Sequence, residues 1–162
     1  MRHLTFAAAI PLASVLAFTS PAQVYAQQQT EHASTFLPDK LQWKKGPGSL
    51  PEGAQFVVLE GDPSKNDYFA LRIRLPGGYR IPPHWHPVTE RVTVVSGTFE
   101  IGMGPNFDAS ALRTLPAGSY IALQPRAPHF ARAKGETVVQ LTSVGPWEIN
   151  YVDASNDPRK QN

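Results

Sequence analysis

Cysteine is absent from this 162-residue chain. Its absence removes disulfides, thiolate metal sites and every cysteine nucleophile together, so any chemistry rests on nitrogen and oxygen groups. Excess charge of one sign is missing too. Fifteen Lys and Arg stand against thirteen Asp and Glu, with no basic block and no interleaving of aromatic and basic residues, so nucleic acid is not an expected partner. No segment keeps a helical period over a useful length. There is no Gly-rich phosphate loop, no Gly-x-Ser-x-Gly elbow and no second carboxylate pair beside the histidine-rich run described below, which leaves nucleotide sites and hydrolase triads without support.

Long apolar runs are scarce. The stretch from Leu4 to Phe18 is interrupted by Pro11 and falls short of the roughly 20 residues that cross a bilayer. With Met1-Arg2-His3 before it and Val24-Tyr25-Ala26 after it, it reads as a secretory signal peptide, residues 1–26, cleaved after Ala26. No twin-arginine pair is present, which favours the general secretory route. The expected location is the periplasm, with no membrane attachment once the signal is cut. Residues 27–40 are polar and aperiodic and read as a disordered lead-in. Residues 41–152 form one domain, and 153–162 a loose polar tail.

What the chain does have is punctuation: 12 Gly and 16 Pro. Turn chemistry at Gly46-Pro47-Gly48, Pro51-Glu52-Gly53, Gly61-Asp62-Pro63-Ser64, Pro76-Gly77-Gly78, Ser96-Gly97, Pro116-Ala117-Gly118 and Lys134-Gly135-Glu136 separates short runs with strand patterning. These runs are Gln55–Glu60, Tyr68–Leu75, Arg91–Val95, Thr98–Met103, Tyr120–Leu123, His129–Arg132, Thr137–Val144 and Trp147–Val152. In the second, Phe69, Leu71, Ile73 and Leu75 alternate with Arg72 and Arg74, the period of a half-buried strand. Arg91–Val95 and Thr98–Met103, joined by Ser96-Gly97, read as a hairpin, with Phe99, Ile101 and Met103 on one face. Between Gly104 and Leu112 a single helical turn is expected. Short strands with turns every few residues make an all-β sandwich or barrel.

The richest stretch is Gly78-Tyr-Arg-Ile-Pro-Pro-His84-Trp-His86-Pro-Val-Thr-Glu90, closing at Gly97. Strand alternation puts His84 and His86 on one face and Trp85 on the other. Pro87 ends regular pairing, so the chain can bring Glu90 back over the two imidazoles, with Val92 and Val94 on the same face as Glu90. A carboxylate beside an apolar interior favours protonation unless a cation sits next to it. A divalent ion held by His84 and His86 supplies that cation, with open positions for water, oxygen or substrate.

The spacing Gly78-x5-His84-x-His86-x3-Glu90-x6-Gly97 resembles the first motif of the cupins. Gly118 through Pro125 to His129 approximates the second, with departures. Its first interval is one residue longer and the step to His129 one shorter, Ala127 stands for the customary glycine, and Ala133 for the closing asparagine. Gly61-Asp-Pro-Ser-Lys, Arg80-Ile-Pro-Pro-His-Trp-His-Pro, Gly102-Met-Gly and Gly145-Pro-Trp147 are similar to a subgroup of small exported bacterial cupins. The resemblance covers about Leu41 to Val152. It implies a single jelly-roll-like β-barrel in which His84, His86, Glu90 and His129 converge on one divalent transition metal (Fe, Mn, Cu, Ni or Zn), and it admits a homodimer paired through a sheet edge.

The resemblance also implies metal-assisted chemistry on a small organic molecule, with dioxygenation ahead of isomerase or lyase chemistry and Glu90 able to carry a proton as well as bind metal. The other reading is a periplasmic module that holds a metal or small molecule without turnover. A deep mouth with polar groups beside the metal favours catalysis, and a filled, dry barrel favours a binding role. Of the remaining candidates, Trp85 and Phe130 are expected to pack outside and Arg91 to lie on the surface. Gln140 is expected to face solvent rather than orient a ligand. The sequence does not group Arg72, Arg74, Arg126 and Arg132.

Overall fold

The turn residues do cut the chain into short strands, which assemble into two antiparallel sheets in a computed structural model describing residues 33–160. The segment read as a signal peptide lies outside the described residues, as do residues 27–32 of the lead-in, whose last residues Pro38–Lys40 form an exposed 3-10 turn. From Phe36 onward the chain forms one compact unit.

In chain order the strands are β1 (Lys44–Lys45), β2 (Gln55–Glu60), β3 (Tyr68–Leu75), β4 (Arg80–Trp85), β5 (Glu90–Ser96), β6 (Thr98–Met103), β7 (Arg113–Pro116), β8 (Tyr120–Leu123), β9 (His129–Ala133), β10 (Thr137–Val144) and β11 (Asn150–Tyr151). One sheet runs β1-β2-β3-β10-β5-β8 and the other β11-β4-β9-β6-β7. Phe69, Leu71, Ile73 and Leu75 of β3, Val92 and Val94 of β5, and Val139 and Leu141 of β10 meet Phe99 and Ile101 of β6 and Ala131 and Ala133 of β9 in one core. The alternation read in β3 is thus the inner face of the six-stranded sheet. Arg72 and Arg74 point outward, where Arg72 Nε donates to Gln140 (3.2 Å) and the Arg74 guanidinium stacks over Trp43 (4.2 Å). The expected helical turn is a 3-10 turn at Ala109–Ala111, capped by the Asp108 side chain accepting from the Ser110 N–H.

Three expectations are corrected. β5 and β6 do not form a hairpin: β5 lies between β10 and β8 in one sheet, and β6 between β9 and β7 in the other. Gly97, at φ 78°, turns the chain from one sheet to the other so close to Glu136 and Thr137 that a Cβ has no room. A hairpin and a sheet-to-sheet corner share the same local pattern, and only the long-range partners decide between them. Met103 does not join Phe99 and Ile101 inside; at the end of β6 it is exposed. The described part of the tail, residues 153–160, is pinned rather than loose. Arg159 forks onto the buried Asp157 carboxylate at 2.8 and 2.9 Å and donates to the Ile149 carbonyl at 2.9 Å.

The most consequential local feature is in β4. Ile81 pairs with Ala131, but the next pair is His84 with His129, so three steps on β4 match two on β9. The extra residue falls at Pro82-Pro83, where a missing N–H interrupts the ladder. Without that bulge His84 would not stand opposite His129, and directly opposed residues share a face.

Candidate metal centre

The bulge in β4 and the start of β9 bring the His84 and His129 rings to 4.2 Å between centroids. His86 follows β4 and turns in at 5.0 Å from His84 and 5.2 Å from His129. One ring nitrogen from each of the three lies within 4.8 Å of the others, and all three residues are buried. Glu90, first residue of β5, is also buried, and its Oε2 sits 3.2 Å from His86 Nε2 and 3.5 Å from His129 Nε2.

Backbone carbonyls fix the chemistry of the rings. His84 Nδ1 meets the Pro82 carbonyl at 2.7 Å, His86 Nδ1 that of Glu148 at 2.6 Å, and His129 Nδ1 that of Ala127 at 2.9 Å. A carbonyl oxygen only accepts, so each Nδ1 is the donor and each neutral ring presents Nε2 as a lone pair. Those lone pairs face each other and a carboxylate, a cluster of acceptors without donors. His86 Nε2 is buried with no aligned hydrogen-bond partner, despite its closeness to Glu90. Protein groups do not satisfy such a set; a proton or a metal ion does. Imidazoles whose second nitrogen is anchored to a carbonyl are the usual metal-binding arrangement, and three such nitrogens gathered within 4.8 Å of one another suit a single divalent ion. The residues fit a divalent ion.

The electrostatics agree. Burial, then the neighbouring His129 and His86, push His84 down to about 3, so it stays neutral over the whole working range. Burial would lower His86 as well, but the Glu90 carboxylate outweighs it and raises the group above its ordinary value. Burial would raise Glu90, yet His86 and His129 hold it well below the usual carboxylate range. A charged Glu90 beside a proton-hungry His86 is what remains when the cation is a proton instead of a metal.

Around the four polar groups the wall is apolar, with Ile73, Phe99, Leu141 and Trp147 among the lining residues, and the cavity they leave is about 30 Å³. That is room for one or two waters. Trp147 covers one side, its ring stacked on His86 at 5.0 Å and 17°.

A family model, Domain of unknown function (DUF4437), matches residues 27–150. The chain belongs to that family. It is a cupin. Germin-like protein 5-1 of Oryza sativa subsp. japonica is 31% identical over 104 residues, 60% of this cupin and 44% of the rice protein, so the chain spans under half of that relative's length. An RmlC-like cupin from Shewanella frigidimarina is 16% identical, with a TM-score of 0.52 over 68% of this chain and 89% of its own. The polyketide cyclase RemF from Streptomyces resistomycificus is 16% identical, with a TM-score of 0.61 over 78% and 89%. A salicylate 1,2-dioxygenase variant from Pseudoaminobacter salicylatoxidans, in complex with gentisate, is 14% identical, with a TM-score of 0.51 over 64% and 31%. At these identities the solved structures speak for the fold.

The four residues singled out in the sequence are thus together in space. Trp85 and Phe130 face outward: Trp85 lies under the Arg126 guanidinium (5.7 Å), and Phe130 packs against Phe107 (4.9 Å) in space left by Gly102. Gln140 is on the outer face with Arg72, and Arg91 is exposed. The arginines form no common rim, since Arg132 pairs with Glu100 (2.6 Å) on the other sheet. Sequence reasoning noticed Gly145-Pro-Trp147 only as part of the resemblance and gave Trp147 no role, and it missed the three carbonyl anchors. Two of them are local, since Pro82 and Ala127 each stand two residues before the histidine they anchor; the third is not, as His86 and Glu148 are 62 residues apart.

Proposed function

We propose that this cupin is an exported metalloenzyme that acts on a small organic molecule, with dioxygenase-type chemistry as the leading reaction class. His84, His86, His129 and Glu90 would hold one divalent transition metal. The observation that carries this reading is the inward set of three carbonyl-anchored imidazoles and one carboxylate, acceptors all, beside a small cavity. The bound ion would supply Lewis-acid polarisation and, if redox-active, electrons for oxygen. The protein's own contribution is to fix the ring tautomers, exclude water with apolar walls, and keep Glu90 charged at the site, where it can take or return a proton. The salicylate dioxygenase among the structural matches supports an oxygenase on this fold, and the polyketide cyclase supports the isomerase or lyase alternative.

A non-catalytic metal-binding module is the second reading. It is favoured by the size of the cavity, about 30 Å³, which admits water or dioxygen but no organic substrate unless a wall moves. Isolating the protein from the periplasm of its own cell, assaying its metal and following oxygen uptake with candidate small acids, phenols and diketones separates the two. Iron, manganese or copper with substrate-dependent oxygen uptake supports the oxygenase. Stoichiometric zinc without uptake would leave only the isomerase, lyase or binding readings. Export is tested in the same preparation by the N-terminus, which should begin at Gln27.

A further inference from the structure

Two of the three imidazoles are anchored by their own approach. His84 Nδ1 donates to the Pro82 carbonyl and His129 Nδ1 to the Ala127 carbonyl, each two residues earlier in the chain. His86 lacks such a local anchor. β4 ends at Trp85, and the residue two before His86 is His84 itself.

Its support comes from a segment 62 residues away. β11 pairs with β4, Asn150 opposite Trp85 and Tyr151 opposite His84, and this register carries residues 147 and 148 to His86. The Glu148 carbonyl accepts from His86 Nδ1 at 2.6 Å, and the Trp147 ring stacks on the imidazole at 5.0 Å and 17°. The two contacts differ in effect. A hydrogen bond at Nδ1 fixes the tautomer and one point of the ring. It leaves the ring free to pivot about that point, and a stacked aromatic face fixes the plane.

The segment is itself clamped. The Gly145 N–H donates to the Asp67 carbonyl at 2.9 Å, the Trp147 N–H to the Pro63 carbonyl at 2.8 Å, and the Arg159 guanidinium to the Ile149 carbonyl at 2.9 Å. Gly145 approaches the Pro63 and Lys65 carbonyls so closely that a Cβ has no room. The indole also meets the buried Phe69 ring edge-on at 6.5 Å.

We infer that Trp147 is a positioning residue, which together with the Glu148 carbonyl forms a strap that holds His86 in the pose of a metal ligand. That His86 ligates rests on the metal-centre reading; that the strap sets its ring does not. The aromatic face carries the effect. Trp147 Nε1 has no hydrogen-bond partner among the described residues, so phenylalanine at this position should serve and an aliphatic side chain should not.

The test uses the full chain and compares Trp147→Phe with Trp147→Leu. An aromatic ring shields protons above its face. In the metal-free protein the His86 ring-proton signals, assigned by their loss in His86→Gln, should therefore move downfield in Trp147→Leu and keep most of their shielding in Trp147→Phe. The His84 and His129 signals, with anchors of their own, should move less. A general loosening of the fold would move all three sets alike. Zinc affinity, titrated against a chelator, should fall at least about ten-fold in Trp147→Leu and stay within about three-fold of native in Trp147→Phe. If Trp147→Leu does not fold, Trp147→Met, which refills the space without an aromatic face, takes its place. His86 signals that stay put, three histidines that move alike, an aliphatic variant with native zinc affinity, or Trp147→Phe losing as much affinity as the aliphatic variant would overturn the proposal. A native chain that binds no zinc overturns the metal reading instead, and the proton signals still decide whether Trp147 sets the ring.

Discussion

Glu90 is the residue on which the site's electrostatics turn. Burial alone would neutralise it, and only the imidazoles beside it keep it charged, while it in turn raises His86. Replacing Glu90 by Gln removes the partner that favours the charged imidazole and leaves burial to dominate, so in the metal-free protein the His86 pKa should fall below its ordinary value of 6.5. A pH titration of the imidazole signals by NMR reads this directly, and an unmoved His86 would show that Glu90 does not set its charge. The same coupling gives metal uptake a proton cost. With His86 raised, the metal-free protein carries a proton there at pH 6.5 that a ligating imidazole cannot keep. Calorimetry of metal binding at that pH should give an enthalpy that varies with the buffer's ionisation enthalpy, corresponding to about one proton released at most; a buffer-independent enthalpy contradicts it. At this scale the site was largely legible. The His84, His86, Glu90 set is encoded by local spacing and strand alternation. Trp147 was not legible as a site residue, because its contact with His86 exists only once the chain's last strand region returns to β4.

At the scale of elements, most strands follow from alternation between glycine and proline turns, and several ends coincide with the sequence reading, as in Tyr68–Leu75 and Thr137–Val144. β7, Arg-Thr-Leu-Pro, has too little apolar patterning to be read alone and exists because β6 offers it an edge. The Gly97 corner was misread for the opposite reason: the local signal was strong but shared by two topologies. Its constraint is testable. Gly97→Val combines a left-handed φ of 78° with backbone contacts that leave no room, so it should cost at least about 2 kcal/mol by urea unfolding. A loss below about 0.5 kcal/mol, the range of an unconstrained surface change, would mean the corner relaxes freely. The pinned tail gives a pH-dependent prediction. Arg159 holds Asp157 below its ordinary 3.8, so the pair's stabilisation is present above that pH and is lost as pH falls through the lower folded value. The stability gap between the native chain and Asp157→Asn should therefore be open at neutral pH and close in stronger acid. A gap that persists unchanged in acid would assign the effect to packing.

At the scale of the whole molecule, two sheets close over a largely apolar core, and four polar side chains gather around a space too small for an organic ligand. Strand patterning between glycine and proline turns, with no helical period, made the all-β fold class readable. The small size of the metal cavity was not readable, since Trp147, which covers one side of it, is held there by long-range contacts with His86 and the Pro63 carbonyl. The central claim is that the acceptor cluster exists to hold a metal. A native-state ligand present at about 100 times its Kd adds roughly 2.7 kcal/mol of stability, so metal loading should raise the melting temperature by roughly 5–12 °C, and His86→Ala should erase most of that rise. The most direct measurement is elemental analysis of the purified chain after metal loading and desalting, beside His86→Ala. The account expects about one divalent transition metal per native chain and at least about a ten-fold loss in the variant, with an unchanged β-sheet circular dichroism spectrum. A native chain that keeps no metal, or a variant that keeps as much as the native chain, would contradict it.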